Sequence, residues 1–424
     1  MDVFKINGKN TLKGEVTLHG AKNSALPVLA AALLVKGVTV IHNCPNLSDV
    51  RETLGILESF GCKVEQNGNT VVIDASVVNG SEIDEGVMRL MRSSILFLGA
   101  LLARNHSASI FLPGGCDIGS RPIDLHIKSL RALGAEITEN GSSINCTCRG
   151  MTGAKIILPF PSVGATENII IASAISKGRT TIVNAAREPE ICDLAQFLNS
   201  CGARIYGAGE GTVEIEGVNE LHPAEHRIIP DRILASTYMS ASAITGGNII
   251  IHDVKPTALT PIFPIFNEMG CRLYLREDYL EISAPNKLKR VKMIKTMPYP
   301  GFPTDSQSPV AAALSVARGT SVIKENIFEN RFRYIRELNR FGCDIDVNDR
   351  MAIINGVKNL KAANVYATDL RGGAALVVAA LRAEGESTIN QLEFIDRGYE
   401  SLEKNLSLLG ADIKRIKNEE EGKA

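Results

Sequence analysis

An α/β fold assembled from six copies of one unit of about 70 residues is predicted by three features of the chain. A short signature recurs, in which a helical stretch ends in Gly-Ala or Gly-Cys and a strand follows. The glycines are Gly61, Gly134, Gly202, Gly270, Gly342 and Gly410, separated by 73, 68, 68, 72 and 68 residues by subtraction. Repeats at a fixed period announce an architecture of stacked supersecondary units. Each copy also opens with an apolar helix rich in small residues, such as SALPVLAAALLVKG or SPVAAALSVARG, and continues into a β-branched strand, such as TTIVNA or NIIIHD.

The elements of one copy follow from local chemistry. The second helix closes at the signature glycine, a residue suited to the left-handed C-terminal cap. Two strands joined by a tight turn complete the copy, with Asn67-Gly68 and Asn140-Gly141 as two-residue hairpin signals between alternating runs. The unit therefore reads βαβαββ in cyclic order. The sixth copy has a single hairpin strand before the charged tail, and FKINGKNTLK (4–13) resembles AIINGVKNLK (352–361), which ends the fifth. The N-terminus is thus expected to close the last unit. Two domains of three units each follow: 21–229, and 1–20 joined with 230–424, with the chain crossing twice between them.

Composition bounds the function. The 424-residue chain is 45% hydrophobic and 22% charged, ordinary for a globular protein. With 46 basic and 47 acidic residues, the net charge of -1 offers no global field to nucleic acid or an anionic membrane. MDVFKINGKNTLKG turns polar within a few residues and is not read as a signal peptide, and ALPVLAAALLV (25–35) is too short to span a bilayer. Nine cysteines without CxxC pairs or clustered histidines suit free thiols in a reducing cytoplasm rather than disulfides or zinc.

The residues that open the first helix of each copy carry the functional signal. They are Lys22 with Asn23, Arg92, Ser162-Val163-Gly164, Arg232, Asp305, and Asp369 with Arg371. A helix N-terminus exposes unpaired N–H groups and a partial positive charge, so it attracts anions. Capping alone is a full alternative for Asp305 and Asp369. It is a weaker account of Lys22, Arg92 and Arg371, because cations at a helix start oppose the dipole unless an anion sits there. Arg331 in FENRF and Arg397 in FIDRG extend the cationic set. The expectation is a polyanionic substrate in a cleft between the domains.

LPGGCDIGSRPIDLH (112–126) breaks the repeat. Gly114, Gly115 and Gly119 around Cys116 suit a mobile loop over a site. A cysteine in that setting is a poor core residue, whereas the other eight are expected to be buried structural thiols. Whether Cys116 serves as nucleophile or proton donor stays open at this point. GAGEG (207–211) is read as the turn of the third hairpin rather than a phosphate loop, and His126 either serves the site or caps the next helix.

GAKNSALP, MRSSILFLG, LPGGCDIGSRPIDLH, PSVGAT, NAAREPEI, FPTDSQ, FENRF, ATDLR and IDRGYE resemble the motifs of the UDP-N-acetylglucosamine 1-carboxyvinyltransferase family of enolpyruvyl transferases, in order and over nearly the whole chain. The resemblance implies an inside-out α/β barrel, two pseudo-symmetric domains of three units with helices inside and sheets outside. It implies transfer of the enolpyruvyl group of phosphoenolpyruvate to the 3'-hydroxyl of UDP-N-acetylglucosamine, the first committed step of peptidoglycan synthesis, with loss of phosphate and without metal or cofactor.

By the same resemblance Cys116 is the proton donor and Asp305 the base for the hydroxyl. Lys22, Arg121 and Arg397 hold the phosphate and carboxylate of phosphoenolpyruvate. Asn23, Arg92, Arg121, Pro122, Ile123, Asp124, Leu125, Ser162, Val163, Gly164, Asp305 and Ile327 meet the nucleotide sugar. Asp369 and Arg371, at a unit start, and Arg331, which follows an inner strand, join the substrate-binding set. Planar guanidinium groups grip carboxylate and phosphate bidentately, which suits these roles. The family is the target of fosfomycin, and a cytoplasmic monomer or weak oligomer is expected. Ser48 and Phe160 stand where some relatives carry lysine. Three rival readings are a shikimate-phosphate enolpyruvyl transferase, a non-catalytic nucleotide-sugar sensor and a clamp-like scaffold. The Gly-Gly-Cys loop, the retained Cys116, Asp305, Lys22 and Arg397, and the neutral net charge speak against them in turn.

Overall fold

The computed structural model describes residues 2–83, 85–86, 92–111, 123–141 and 143–417. The chain is an α/β protein whose described residues form six sheets, five of four strands and one of three. It divides into two compact units. One takes the chain up to His19 and from Pro230 onward; the other runs from Gly20 to Ile229.

The helices are of two kinds, and composition explains the difference. Those that open each copy are built of apolar and small residues and are buried on all sides. All fourteen residues of Arg232–Thr245 and all eight of Gln307–Leu314 are buried, as are ten of the eleven in Lys22–Ala32. The second helices are amphipathic: Ser48–Ser59 buries Asp49, Val50, Thr53, Leu54, Ile56 and Leu57 and leaves the rest toward solvent. In the strands, buried residues alternate with partly exposed ones, as in Thr212–Glu216, so one sheet face meets the core. Each unit has its own apolar core centred on the opening helices.

The six signature glycines all adopt positive φ, from 85° at Gly342 to 98° at Gly134. That conformation strains any side chain and ends each second helix cleanly. Another glycine marks the end of a hairpin. Methyl groups on Gly217 and Gly356 would overlap the carbonyl oxygens of Ser176 and Ala317, and Gly8 stands in the same relation to Ala383. Gly8 follows Asp2–Asn7, a strand antiparallel to both Glu386–Asn390 and Asp412–Lys417, with Phe4 opposite Ile389 and Arg415. The N-terminal strand thus completes the sixth sheet.

Each four-stranded sheet places a strand parallel to the inner strand and then the hairpin. In the third, fifth and sixth copies that parallel strand directly precedes the opening helix. The first and fourth copies exchange theirs. Lys13–Thr17, which precedes the first helix, lies parallel to Asn248–His252 of the fourth copy. Glu225–Arg227, which precedes the fourth helix, lies parallel to Val38–His42 of the first. The exchange keeps each strand inside its own compact unit.

One local expectation is corrected. Asn67 pairs with Thr70, so the hairpin loop is Gly68-Asn69 rather than Asn67-Gly68, and Gly141 likewise opens its loop after Asn140. Gly68 has φ 61° while Asn69 is not left-handed, which is the pattern of a type II′ turn with glycine first.

Candidate functional site

In the unit that holds the C-terminal half, three opening helices converge on a charged cluster. Asp305 lies in the 3-10 turn Thr304–Ser306, ahead of the helix Gln307–Leu314. Its Oδ1 accepts from Arg331 Nη2 at 2.8 Å, and its Oδ2 accepts from Arg371 Nη2 at 3.3 Å and Nε at 3.4 Å. Arg331 and Arg371 are 3% and 1% exposed. Capping therefore does not explain Asp305, whose carboxylate is charge-paired by two guanidinium groups. It does explain Asp369, which accepts from the backbone N–H groups of Arg371 and Gly372 at 3.1 and 2.9 Å and fixes the start of Leu370–Ala380.

Arg371 also lies over the Tyr399 ring, 5.3 Å from its centroid, and Tyr399 shares a hydrogen bond of 3.0 Å with the Thr237 hydroxyl. Burial opposes the guanidinium charge. Tyr399 and Asp305 more than offset it, so the pKa lies above the ordinary arginine value. Burial pushes the Tyr399 hydroxyl up, which keeps it neutral near pH 7. Arg331 Nε and Arg371 Nη1 are buried without a hydrogen-bond partner among the described residues. Buried donors are nearly always satisfied, so these two N–H groups are available to a further acceptor. Arg397 follows in the turn after Leu392–Ile395, half-buried, and Ile327 lies in the turn after Thr320–Lys324.

In the other unit Lys22 opens the helix Lys22–Ala32 with no side-chain cap. It is 8% exposed, and its Nζ donates to Asp49 Oδ2 at 2.9 Å. Asp49, in the first turn of Ser48–Ser59, drew no attention in the sequence because 27 residues separate the pair. Asn23 is half-buried beside Lys22, and the next residue, Ser24, donates its hydroxyl to the buried Asp193. Ser162 caps Val163–Ser173 by accepting from Ala165 N at 3.4 Å, which puts Val163 and Gly164 at the helix start.

Gly164 leaves space for the His126 ring, which a methyl group there would approach to 3.2 Å. His126 is not a cap. It is buried within Asp124–Ala132, its Nδ1 3.0 Å from the Asn168 amide nitrogen, and Asn168 Oδ1 accepts from Gly99 N. Ile123, Asp124 and Leu125 begin that helix, with Asp124 exposed enough to pair with Lys128. Arg92 opens the 3-10 turn Arg92–Ile95. Cys116, Arg121 and Pro122 lie outside the described residues. Ser48 Oγ is buried without a partner among the described residues, and Phe160 is 44% exposed.

One buried carboxyl beside these residues was missed by the sequence reading. Glu167 lies in the Ser162-capped helix, and burial, with Glu190 and Glu188 adding to it, pushes its pKa well above the usual 4.5. A raised carboxyl pKa stabilises the fold at low pH, and that contribution is lost as pH rises. Glu167→Gln is therefore expected to match the parent's melting temperature below pH 4 and to exceed it increasingly above pH 5. Parallel melting curves across that range would contradict the assignment. Of the eight described cysteines, six are buried as expected, whereas Cys148 and Cys192 are half-buried.

Among the described residues no group of three His, Cys, Asp or Glu side chains is arranged to hold a metal, and no helix is long and apolar enough to cross a membrane. The sequence matches the EPSP synthase (3-phosphoshikimate 1-carboxyvinyltransferase) family profile over residues 6–406. The chain belongs to that family. Among its relatives, UDP-N-acetylglucosamine 1-carboxyvinyltransferase 2 of Caldanaerobacter subterraneus subsp. tengcongensis is 54% identical over 98% of this chain and 100% of its own length. UDP-N-acetylglucosamine 1-carboxyvinyltransferase of Geobacter metallireducens is 47% identical over 98% of this chain and all of its own. The crystal structure of the enolpyruvyl transferase NikO from Streptomyces tendae superposes with a TM-score of 0.88 at 27% identity, covering 98% of this chain and 99% of that one. EPSP synthase from Acinetobacter baumannii, at 19% identity and a TM-score of 0.75 over 98% of this chain and 100% of its own, shares the fold.

Proposed function

We propose that this chain transfers the enolpyruvyl group of phosphoenolpyruvate to the 3'-hydroxyl of UDP-N-acetylglucosamine with release of phosphate, the first committed step of peptidoglycan biosynthesis. The observation that carries this reading is 54% identity over 98% of the chain to a relative named for that activity. The hydroxyl oxygen bonds to C2 of phosphoenolpyruvate while C3 takes a proton, giving a tetrahedral intermediate. Loss of a C3 proton and of phosphate then restores the double bond.

In this reading Asp305 takes the hydroxyl proton and Cys116 supplies the proton to C3. Lys22, Arg121 and Arg397 grip phosphoenolpyruvate. Asn23, Arg92, Arg121 to Leu125, Ser162 to Gly164 and Ile327 hold the nucleotide sugar, and Arg331, Asp369 and Arg371 complete the binding set. The guanidinium N–H groups of Arg331 and Arg371 that lack an acceptor support it, since arginine N–H groups suit phosphate and carboxylate. We extend the proposal to an inside-out barrel in each unit, to two domains divided at 21–229 and at 1–20 with 230–424, and to a cytoplasmic enzyme that fosfomycin inactivates and on which cell division depends. Incubation with carbon-13-labelled phosphoenolpyruvate tests the reaction directly. An enol-ether resonance growing with free phosphate, only when UDP-N-acetylglucosamine is present, is expected; phosphate release without it would defeat the proposal.

A further inference from the structure

The fifth copy departs from the repeat at one position. After the inner strand of the first, third, fourth and sixth copies stands a residue with positive φ: Asn43, Asn184, Asp253 and Gln391. Asn43 and Asn184 donate their side-chain amides to the carbonyls of Ile228 and Leu158, just past the parallel strand. The fifth copy moves this task one residue on, where Asn326 Nδ2 donates to Thr296 O at 3.1 Å. The vacated position carries Glu325, which is 0% exposed and has no positive φ.

Glu325 is saturated with donors. Its Oε1 accepts from Thr296 Oγ1 at 2.7 Å and from the backbone N–H groups of Ile327 and Phe328 at 2.8 and 3.2 Å. Its Oε2 accepts from Thr304 Oγ1 at 2.9 Å. A buried carboxylate is costly unless fully hydrogen-bonded, and of the other described copies only the fourth has a carboxylate at this junction, the half-buried Asp253. The groups it joins are the residue that precedes Asp305 and the backbone of Ile327.

We infer that Glu325 is a positioning residue that sets the base Asp305, through Thr304, and the sugar contact Ile327 in one fixed geometry. The inference rests on the roles proposed above for Asp305 and Ile327. Glu325 itself touches no reacting atom. A misplacement of about 1 Å in a reacting group is enough for a loss on the order of a hundredfold, so the coupling is measurable.

The full-length enzyme is compared with Glu325→Ala, Glu325→Gln and Thr304→Val, each normalised to the folded fraction from its melting curve. Glu325→Ala is expected to lower kcat at least about tenfold and to raise KM for UDP-N-acetylglucosamine, with KM for phosphoenolpyruvate changed less than about threefold. Glu325→Gln keeps an acceptor for the Ile327 N–H and can donate its amide N–H to the Thr304 hydroxyl with the bond reversed, so KM for the sugar recovers and kcat recovers in part. Thr304→Val removes only the hydroxyl that Oε2 holds, and its kcat falls without a change in sugar KM. This variant decides the matter should Glu325→Ala fail to fold. Parent kcat and KM in folded Glu325→Gln and Thr304→Val would overturn the inference. Asp305→Asn separates the two layers. If that variant is slow while the Glu325 and Thr304 variants run at the parent rate, only the positioning role fails. If Asp305→Asn itself runs at the parent rate, the proposed base fails first.

Discussion

Asp305→Ala is expected to lose about 10²–10⁴-fold in kcat, the range typical for removal of a positioned general base. The same change should lower stability, and the structure gives the reason. Arg331 and Arg371 are almost wholly buried and share this one carboxylate, at 2.8 and 3.3 Å. Breaking a buried ion pair from one side typically costs about 3–5 kcal/mol, because the partner charge is left uncompensated. The Asp305 side chain is 25% exposed, so water reaches the pair and the lower end of that range applies. Asp305→Asn keeps the shape and an acceptor oxygen. It carries no charge, however, and its amide N–H2 must face one of the two guanidinium groups, so it should recover little of either the stability or the rate. Steady-state phosphate release and thermal unfolding of both variants test this, and parent kcat in either would remove Asp305 from the chemistry.

Cys116→Ala is expected to abolish turnover, by at least about 10³-fold, while UDP-N-acetylglucosamine affinity stays within about threefold of the parent. Loss of the proposed proton donor blocks the step at C3 and leaves the proposed sugar contacts in place. The cysteine lies outside the described residues, and its sequence setting carries the prediction together with the raised pKa of five of the other eight thiols. Burial pushes the thiols of Cys62, Cys201 and Cys343 to about 11 and those of Cys146 and Cys271 to about 12. None of the five supplies thiolate at neutral pH, and thiolate is the reactive form. Fosfomycin should therefore modify the parent on the peptide carrying Cys116 and leave Cys116→Ala unmodified by mass. An adduct on another cysteine, or undiminished turnover of the variant, would contradict the assignment.

Much of the fold was legible because its rules are local. A glycine that must adopt positive φ recurs six times, and the small residues of the opening helices are those that let helices pack on every side. The N-terminal strand was legible as a displaced copy of residues 352–361. The exchange of Lys13–Thr17 and Glu225–Arg227 was not, since strands of five and three residues carry little pattern of their own and their partners are remote. The hairpin loop slipped by one residue because Asn-Gly and Gly-Asn both satisfy a two-residue turn.

The candidate site divides in the same way. Lys22, Asp305 and Arg371 stood out by type, as charges at apolar helix starts. What they touch did not. Asp49, Tyr399 and Glu325 are common residues whose meaning lies in a partner: Lys22 for the first, Arg371 for the second and the Thr304 hydroxyl for the third. Glu167 was invisible for a related reason, since a glutamate in a helix normally faces water and only packing reveals that this one does not.

The acceptor decides the central claim. Initial rates of phosphate release from phosphoenolpyruvate should be measured with UDP-N-acetylglucosamine and, separately, with shikimate 3-phosphate. Release that saturates with the nucleotide sugar and stays at background with the shikimate ester is the predicted result. The reverse preference, or no release with either, would contradict the function assigned to this chain.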